Sequence, residues 1–320
     1  SYDRLAIGAY AFGRDLSNNY CSFIGIPGGV TFAPDCEGDI TIGEKAFYKA
    51  LFSSFKIPSV DAYTSYTGDV IPGLVNGFEV FDGMTNLASI EVEAGDYYAG
   101  KDGVVYNGDF TELIFCPSGN SGSVSIPATV AKINDKAFFG CNKITSITIE
   151  DGSVDLVIGS EAFSSCTMLE SLVLPARVVS LGDKALAGCT SLSSLTLSKN
   201  LEAFDSSMID GCDKLSSIVV PEGTTAVHSD NGIIYTSDKT TLVYCPAGII
   251  LENNTYTVLE GTKVIGADAF KNNSTLQTII LPEGLTEIRE NAFLSATALT
   301  TIEIPNTVEV IGSNAFQYCG

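Results

Sequence analysis

The sequence is poor in bases and nearly empty of histidine. Its 320 residues include 17 Lys and Arg against 38 Asp and Glu, and one histidine, His228. The formal charge of −21 repels polyanions, which excludes nucleic acid as a partner and argues against docking on anionic lipid. The acids are scattered, so they read as a soluble, self-repelling surface. No run reaches the roughly 18 apolar residues of a membrane-spanning helix. The opening SYDRLAIGAYAF has no basic start followed by a long apolar core, so a secretion signal is expected to be already removed or never present. There is no CxxC and no Cys/His cluster for zinc. Gly-rich phosphate loops, EF-hand loops and GxSxG are also missing. DGVVYNGD at 102–109 has calcium-like letters without the twelve-residue ligand spacing. His228 lies in TTAVHSDNG, read as a loop, with no nucleophile and orienting acid in a partner motif. Sequence spacing singles out no pair of carboxylates for acid–base work. The expectation is no catalysis, no cofactor and no metal.

What the chain does have is a core and a period. Apolar residues make up 45% and charged residues 17%, the balance of a folded chain. An Ile-x-Ile-Pro-like signature recurs at 24–27, 55–58, 124–127, 172–175, 218–221, 279–282 and 302–305. It appears without the proline at 90–92, 147–149, 195–197 and 256–258, which makes eleven rungs. From the fourth rung to the last, the final apolar residues are Ile126, Ile149, Leu174, Leu197, Val220, Val258, Leu281 and Ile304. Apart from the long step to Val258 they keep an almost constant spacing. Such a period predicts a β-rich repeat solenoid of about eleven coils of roughly 23 residues. Each rung reads as a short strand with inward and outward residues alternating, ended by its proline. Stacked rungs form a parallel sheet. The whole of 1–320 is expected to be a single solenoid, with 1–82 as irregular N-terminal coils carrying long loops.

Between most rungs stands one buried plug, usually in Ala-Phe: Phe12, Phe47, Phe138, Phe163, Phe270, Phe293 and Phe316. Leu186, Ile209 and Phe81 fall at a similar phase. Each coil must fill its own interior, and a stack needs the same filler at the same height. The glycine one turn earlier (Gly43, Gly159, Gly182, Gly266, Gly312) suits a tight corner. The intervals 92–126 and 220–258 are too long and lack the Ala-Phe plug. They carry matching inserts, DGVVYNGDFTELIFCPSG and NGIIYTSDKTTLVYCPAG, in which Tyr106 corresponds to Tyr235 and Cys116 to Cys245. Each reads as a β-hairpin, near 102–117 and 231–246, with Asn107-Gly108 the stronger turn signal.

The rung, the Ile-Gly corner, the Ala-Phe plug and a trailing cysteine, as in KITSITIEDGSVDLVIGSEAFSSC (143–166) and ALTTIEIPNTVEVIGSNAFQYC (298–319), together resemble the BspA-like leucine-rich repeats of the Treponema pallidum type. The resemblance is weakest across 13–82. It implies a right-handed leucine-rich-repeat solenoid, extracellular or at a bacterial cell surface. It also implies a binding role, adhesion to a host or neighbouring-cell protein or glycan, and assigns that role to no residue. The alternative is a structural spacer in a larger surface protein. That reading notes that the chain stops at Cys319-Gly320, after a plug and before another rung.

Candidate sites remain few. Cys141, Cys166, Cys189, Cys212 and Cys319 each follow a plug at the same offset. Stacked strands could bring such thiols within disulfide range. The same position holds Asn273 and Ala296 in other coils, so a small buried filler is the preferred reading. Cys21 and Cys36 lie in loops, where a disulfide is open. A hydroxyl row (Ser54, Ser89, Ser123, Ser146, Ser171, Ser194, Ser217, Thr255, Thr278, Thr301) faces outward by strand alternation. It is read as polar residues satisfied locally. The next outward row exposes Val173, Val219 and Ile280 among threonines, and an apolar strip on an open face can mark a partner site.

Overall fold

A computed structural model describes residues 4–7, 39–42, 53–57, 84–92 and 98–320. Ten of the eleven expected rungs are strands, from Ser54–Ile57 to Thr301–Glu303; the rung at 24–27 lies outside the described residues. The rungs stack in parallel with equivalent residues aligned: Ser171 with Ser194 and Ser217, Thr255 with Thr278 and Thr301. Their central residues, such as Leu172, Leu195, Ile218 and Ile279, are buried. A second column of shorter parallel strands runs beside them. It comprises Lys132–Ile133, Leu156–Ile158 and Val178–Leu181, then Val264–Ile265, Glu287–Ile288 and Val310–Ile311. One rung per repeat and, in most repeats, one short strand, stacked coil on coil, make the chain a β-solenoid with the regular period expected of it; the coil between Leu197 and Val220 has a 3-10 turn, Ser206–Ile209, and no second strand.

The plugs line the interior between the two columns. Phe138, Phe163, Leu186, Ile209, Phe270 and Phe293 are fully buried. Successive rings touch, with centroids 5.1 Å apart for Phe138 and Phe163, and 5.0 Å for both Phe270–Phe293 and Phe293–Phe316. The backbone is laddered at the same height, as Phe163 N donates to Ala185 O at 2.7 Å and Phe270 N to Ala292 O at 2.7 Å. Phe12, Phe47 and Phe81 lie outside the described residues.

The glycines before the plugs do a different job from the expected corner. Gly159, Gly182 and Gly312 are not in the left-handed region. A Cβ on Gly159 would lie 2.6 Å from Asp135 N, one on Gly182 2.5 Å from Ser160 N, and one on Gly312 2.4 Å from Glu290 N. Glycine is needed so that neighbouring coils can approach backbone to backbone. The corners fall on either side of the plug, where Lys136, Glu161, Lys184, Asn291 and Asn314 precede it with φ of 54–58°, and Gly140, Gly188 and Gly211 follow it with φ of 71–74°.

Each insert is a three-stranded antiparallel meander and not a two-stranded hairpin. The first is Tyr98–Lys101, Val104–Asn107 and Glu112–Phe115; the second is Val227–Asp230, Ile233–Thr236 and Thr241–Tyr244. Asp102-Gly103 and Asn231-Gly232, all at positive φ, make the two-residue turns, as hairpins with this twist require. Asn107-Gly108 opens a longer turn, in which Asn107 Oδ1 accepts Glu112 N and Asp109 Oδ1 accepts Thr111 N. The last meander strand joins the second column in parallel, through Leu113–Ile133 and Leu242–Ile265. Cys116 N and Cys245 N then donate to Ala137 O and Ala269 O at 2.7 Å, so each cysteine takes the backbone place of a plug phenylalanine. The second meander is also a septum. Ile233, Tyr235 and Leu242 pack with Phe270 and Phe293, while Val227, Ile234 and Tyr244 pack with the core that holds Phe138 and Phe163.

Candidate functional site

The rung sheet presents two outward rows. Ser171, Ser194 and Ser217 face solvent in register, and their hydroxyls have no protein partner among the described residues. The local satisfaction expected of them occurs one residue earlier. Ser193 and Ser216 donate to Glu170 O and Ser193 O, at 3.1 and 3.2 Å, and Thr300 to Gln277 O at 3.1 Å. That earlier column consumes its own hydroxyls; in the row beside it Ser171, Ser194 and Ser217 keep theirs free among the described residues, whereas Thr255 donates to Asn253 O at 3.1 Å. Val173 (59% exposed) and Val219 (49%) flank Thr196 in one three-stranded sheet. Ile280 (49%) lies between Thr257 and Glu303 in another. Hydrogen bonding along the rungs breaks between Ser217–Val219 and Thr255–Thr257, so the first two residues are brought together and the third is not. From Ser123 and Ser125 to Thr278 and Ile280 neither row contains a charge, although Glu91 and Glu303 stand at the two ends.

The trailing cysteines are structural. Cys166, Cys189 and Cys212 donate their thiols to Phe138 O, Phe163 O and Leu186 O at 3.2–3.3 Å. All seven described cysteines are unpaired; Cys21 and Cys36 lie outside the described residues. Burial pushes the Cys166 thiol well above its ordinary value, so it stays protonated and unreactive at neutral pH. Asn273 replaces cysteine by the same chemistry, its amide donating to Pro246 O at 3.3 Å.

His228 sits in a strand, Val227–Asp230, not a loop. It is half-buried opposite Tyr235, with ring centroids 6.5 Å apart. Among the described residues no group of three or more His, Cys, Asp or Glu is arranged to hold a metal. Asp109 of the calcium-like stretch is engaged by Thr111, whose hydroxyl donates to it at 2.7 Å. Arg177 is a buried cation that the sequence did not flag. Only 4% exposed, it gives its guanidinium to Glu150 O (2.6 Å), Val130 O (2.7 Å), Pro127 O (3.1 Å) and Val154 O (3.4 Å). It ties down the coil between Ile149 and Leu174, which is slightly longer than its neighbours.

The match to known sequences agrees with this geometry. The family model for the BspA type leucine rich repeat region matches residues 109–231 and 251–320 in six copies. This chain belongs to the BspA-type leucine-rich repeat family. No curated protein sequence matches it. Among solved structures, a leucine-rich repeat protein from Eubacterium ventriosum is similar at 21% identity and a TM-score of 0.52, over 98% of this chain and 67% of that one. The pneumococcal vaccine antigen PcpA is similar at 23% identity and a TM-score of 0.51, over 85% of this chain and 65% of its own. These likenesses are of fold. The BspA-type chain described here spans about two thirds of the length of either relative.

Proposed function

We propose that this chain is a non-catalytic binding module, secreted or displayed at a bacterial surface, that adheres to a host or neighbouring-cell protein or glycan through its rung face. The observation that carries this reading is the strip of hydroxyl and aliphatic side chains, without a charged residue from Ser123 and Ser125 to Thr278 and Ile280, in a protein of charge −21. Charge is kept off the face where a partner must be desolvated, as in the centre of protein interfaces. Val173 and Val219, exposed on either side of Thr196, are its apolar anchors, and Ile280 extends it. Membership of a repeat family and likeness to a vaccine antigen support an exposed, partner-binding role.

The test is a binding screen of the purified chain against extracellular-matrix proteins and a glycan array at physiological salt. The expected result is a saturable hit that Val219→Glu or Ile280→Glu weakens. A blank over both panels would contradict the adhesive role and favour a structural spacer.

A further inference from the structure

A second surface feature lies where the second meander interrupts the plugs. The coil of Cys245 has Pro246-Ala247-Gly248 in place of a plug loop, and the loops 205–213 and 267–272 meet across it. Lys271 Nζ reaches Asp210 Oδ1 at 2.9 Å and Asp268 Oδ1 at 3.4 Å. Asn272 Nδ2 donates to Asp213 Oδ1 at 2.9 Å, and Ser206 Oγ to Ala267 O at 3.5 Å. These contacts frame a cleft whose wall includes Tyr244. Burial disfavours the charged Lys271, but Asp210 and Asp268 outweigh it and raise its pKa, so the ammonium stays charged. Three carboxylates still face one cation.

Tyr244 points to a ligand. It is 8% exposed, it lines this cleft, and its hydroxyl has no partner among the described residues. The second carboxylate oxygens of Asp210 and Asp213 are also unengaged among those residues. The first meander has no counterpart, because Phe115 stands there at the position of Tyr244, and the loops are joined by Lys143 Nζ to Thr85 O at 3.2 Å.

We propose that this cleft is a binding subsite for an alkylammonium group, either the lysine side chain of a partner protein or a free amine. An ammonium has three donors, and Asp210, Asp213 and the Tyr244 hydroxyl supply three acceptors inside a net-negative cleft. The subsite is independent of the rung face.

The test titrates methylammonium and, separately, N-acetyl-lysine methylamide into the full 320-residue chain. The Asn272 side-chain amide and the Gly211 backbone amide are followed by NMR. Saturable shifts are expected, weakened about tenfold by Asp213→Asn, as loss of a charged hydrogen-bond partner implies, and also weakened by Tyr244→Phe. Glu260→Gln, outside the cleft, should change nothing. Tighter binding of the lysine derivative assigns the site to a partner's lysine; equal or tighter methylammonium binding assigns it to free amines. Unsaturable shifts, or shifts unchanged in a folded Tyr244→Phe variant, would overturn the proposal. Tyr244→Phe carries the test if Asp213→Asn fails to fold.

Discussion

In the second meander the Tyr235 hydroxyl lies 2.6 Å from that of Tyr256, which donates to Asp230 Oδ2 at 3.0 Å, and Leu259 N donates to Tyr235 at 3.3 Å. In the first, Tyr106 occupies the same place and is equally buried, yet its hydroxyl has no partner among the described residues. Val124 stands where Tyr256 would be, and Lys101 where Asp230 would be. The ring of Tyr106 rests instead on Phe110, at 5.0 Å. Everything the stack needs is repeated: strand pairing, the turn at 102–103 or 231–232, the cysteine in the plug's backbone place, and a large ring in the core. What the stack does not need, the destination of a buried hydroxyl, is not repeated. A coil tolerates an orphan hydroxyl, which costs about 1–3 kcal/mol, but not an empty interior.

The largest effect should fall on what the two meanders share. Phe138→Ala and Phe270→Ala remove the plugs next to Cys116 and Cys245, and each should destabilise by about 3–5 kcal/mol. Denaturant melts that show one of them to be mild would break the packing half of the comparison. Next comes the difference. Tyr235→Phe strands Leu259 N and takes a partner from Tyr256, and should cost about 1–3 kcal/mol. Tyr106→Phe removes an orphan and should be neutral or stabilising. Equal losses in thermal melts would contradict the assignment of partners.

The smallest effect concerns the turns. The Thr111 hydroxyl holds Asp109 below its ordinary carboxylate value, and the Thr236 hydroxyl does the same for Asp238. A depressed native pKa gives stability that is present above the ordinary carboxylate range and is lost as pH falls through the lowered values. Protection of the Thr111 and Thr240 amides, taken relative to the intrinsic exchange rate at each pH, should therefore fall together on acidification. Asp109→Asn should abolish the pH dependence at Thr111 alone; if it persists, another group holds that turn.

Much of this was readable in advance, because rungs and plugs are written by burial and burial recurs every coil. The first strand of each meander was not, since YAGK and VHSD lack the alternation that marks a half-buried strand. Alternation told which face Ser194 occupies but not whether its hydroxyl would find a carbonyl; that depends on one residue of register, and Ser193 took it. Glycine spacing was visible, yet its reason, contact between coils, is invisible in a one-dimensional pattern. Arg177 follows a rung proline like any loop residue. Its role exists only because carbonyls from two earlier coils converge on it. The cleft joins Asp210 to Lys271 over 61 residues, a distance no local pattern spans.

The most direct test of the adhesive reading places charge on two surfaces of one chain. Val173→Glu with Val219→Glu alters the rung face; Val157→Glu with Val310→Glu alters exposed positions of the second column. Affinity for the partner found in the binding screen should be measured for both double variants after confirming equal melting. Binding lost only with the first pair is the predicted result. Binding kept by the first pair, or lost only with the second, would contradict it.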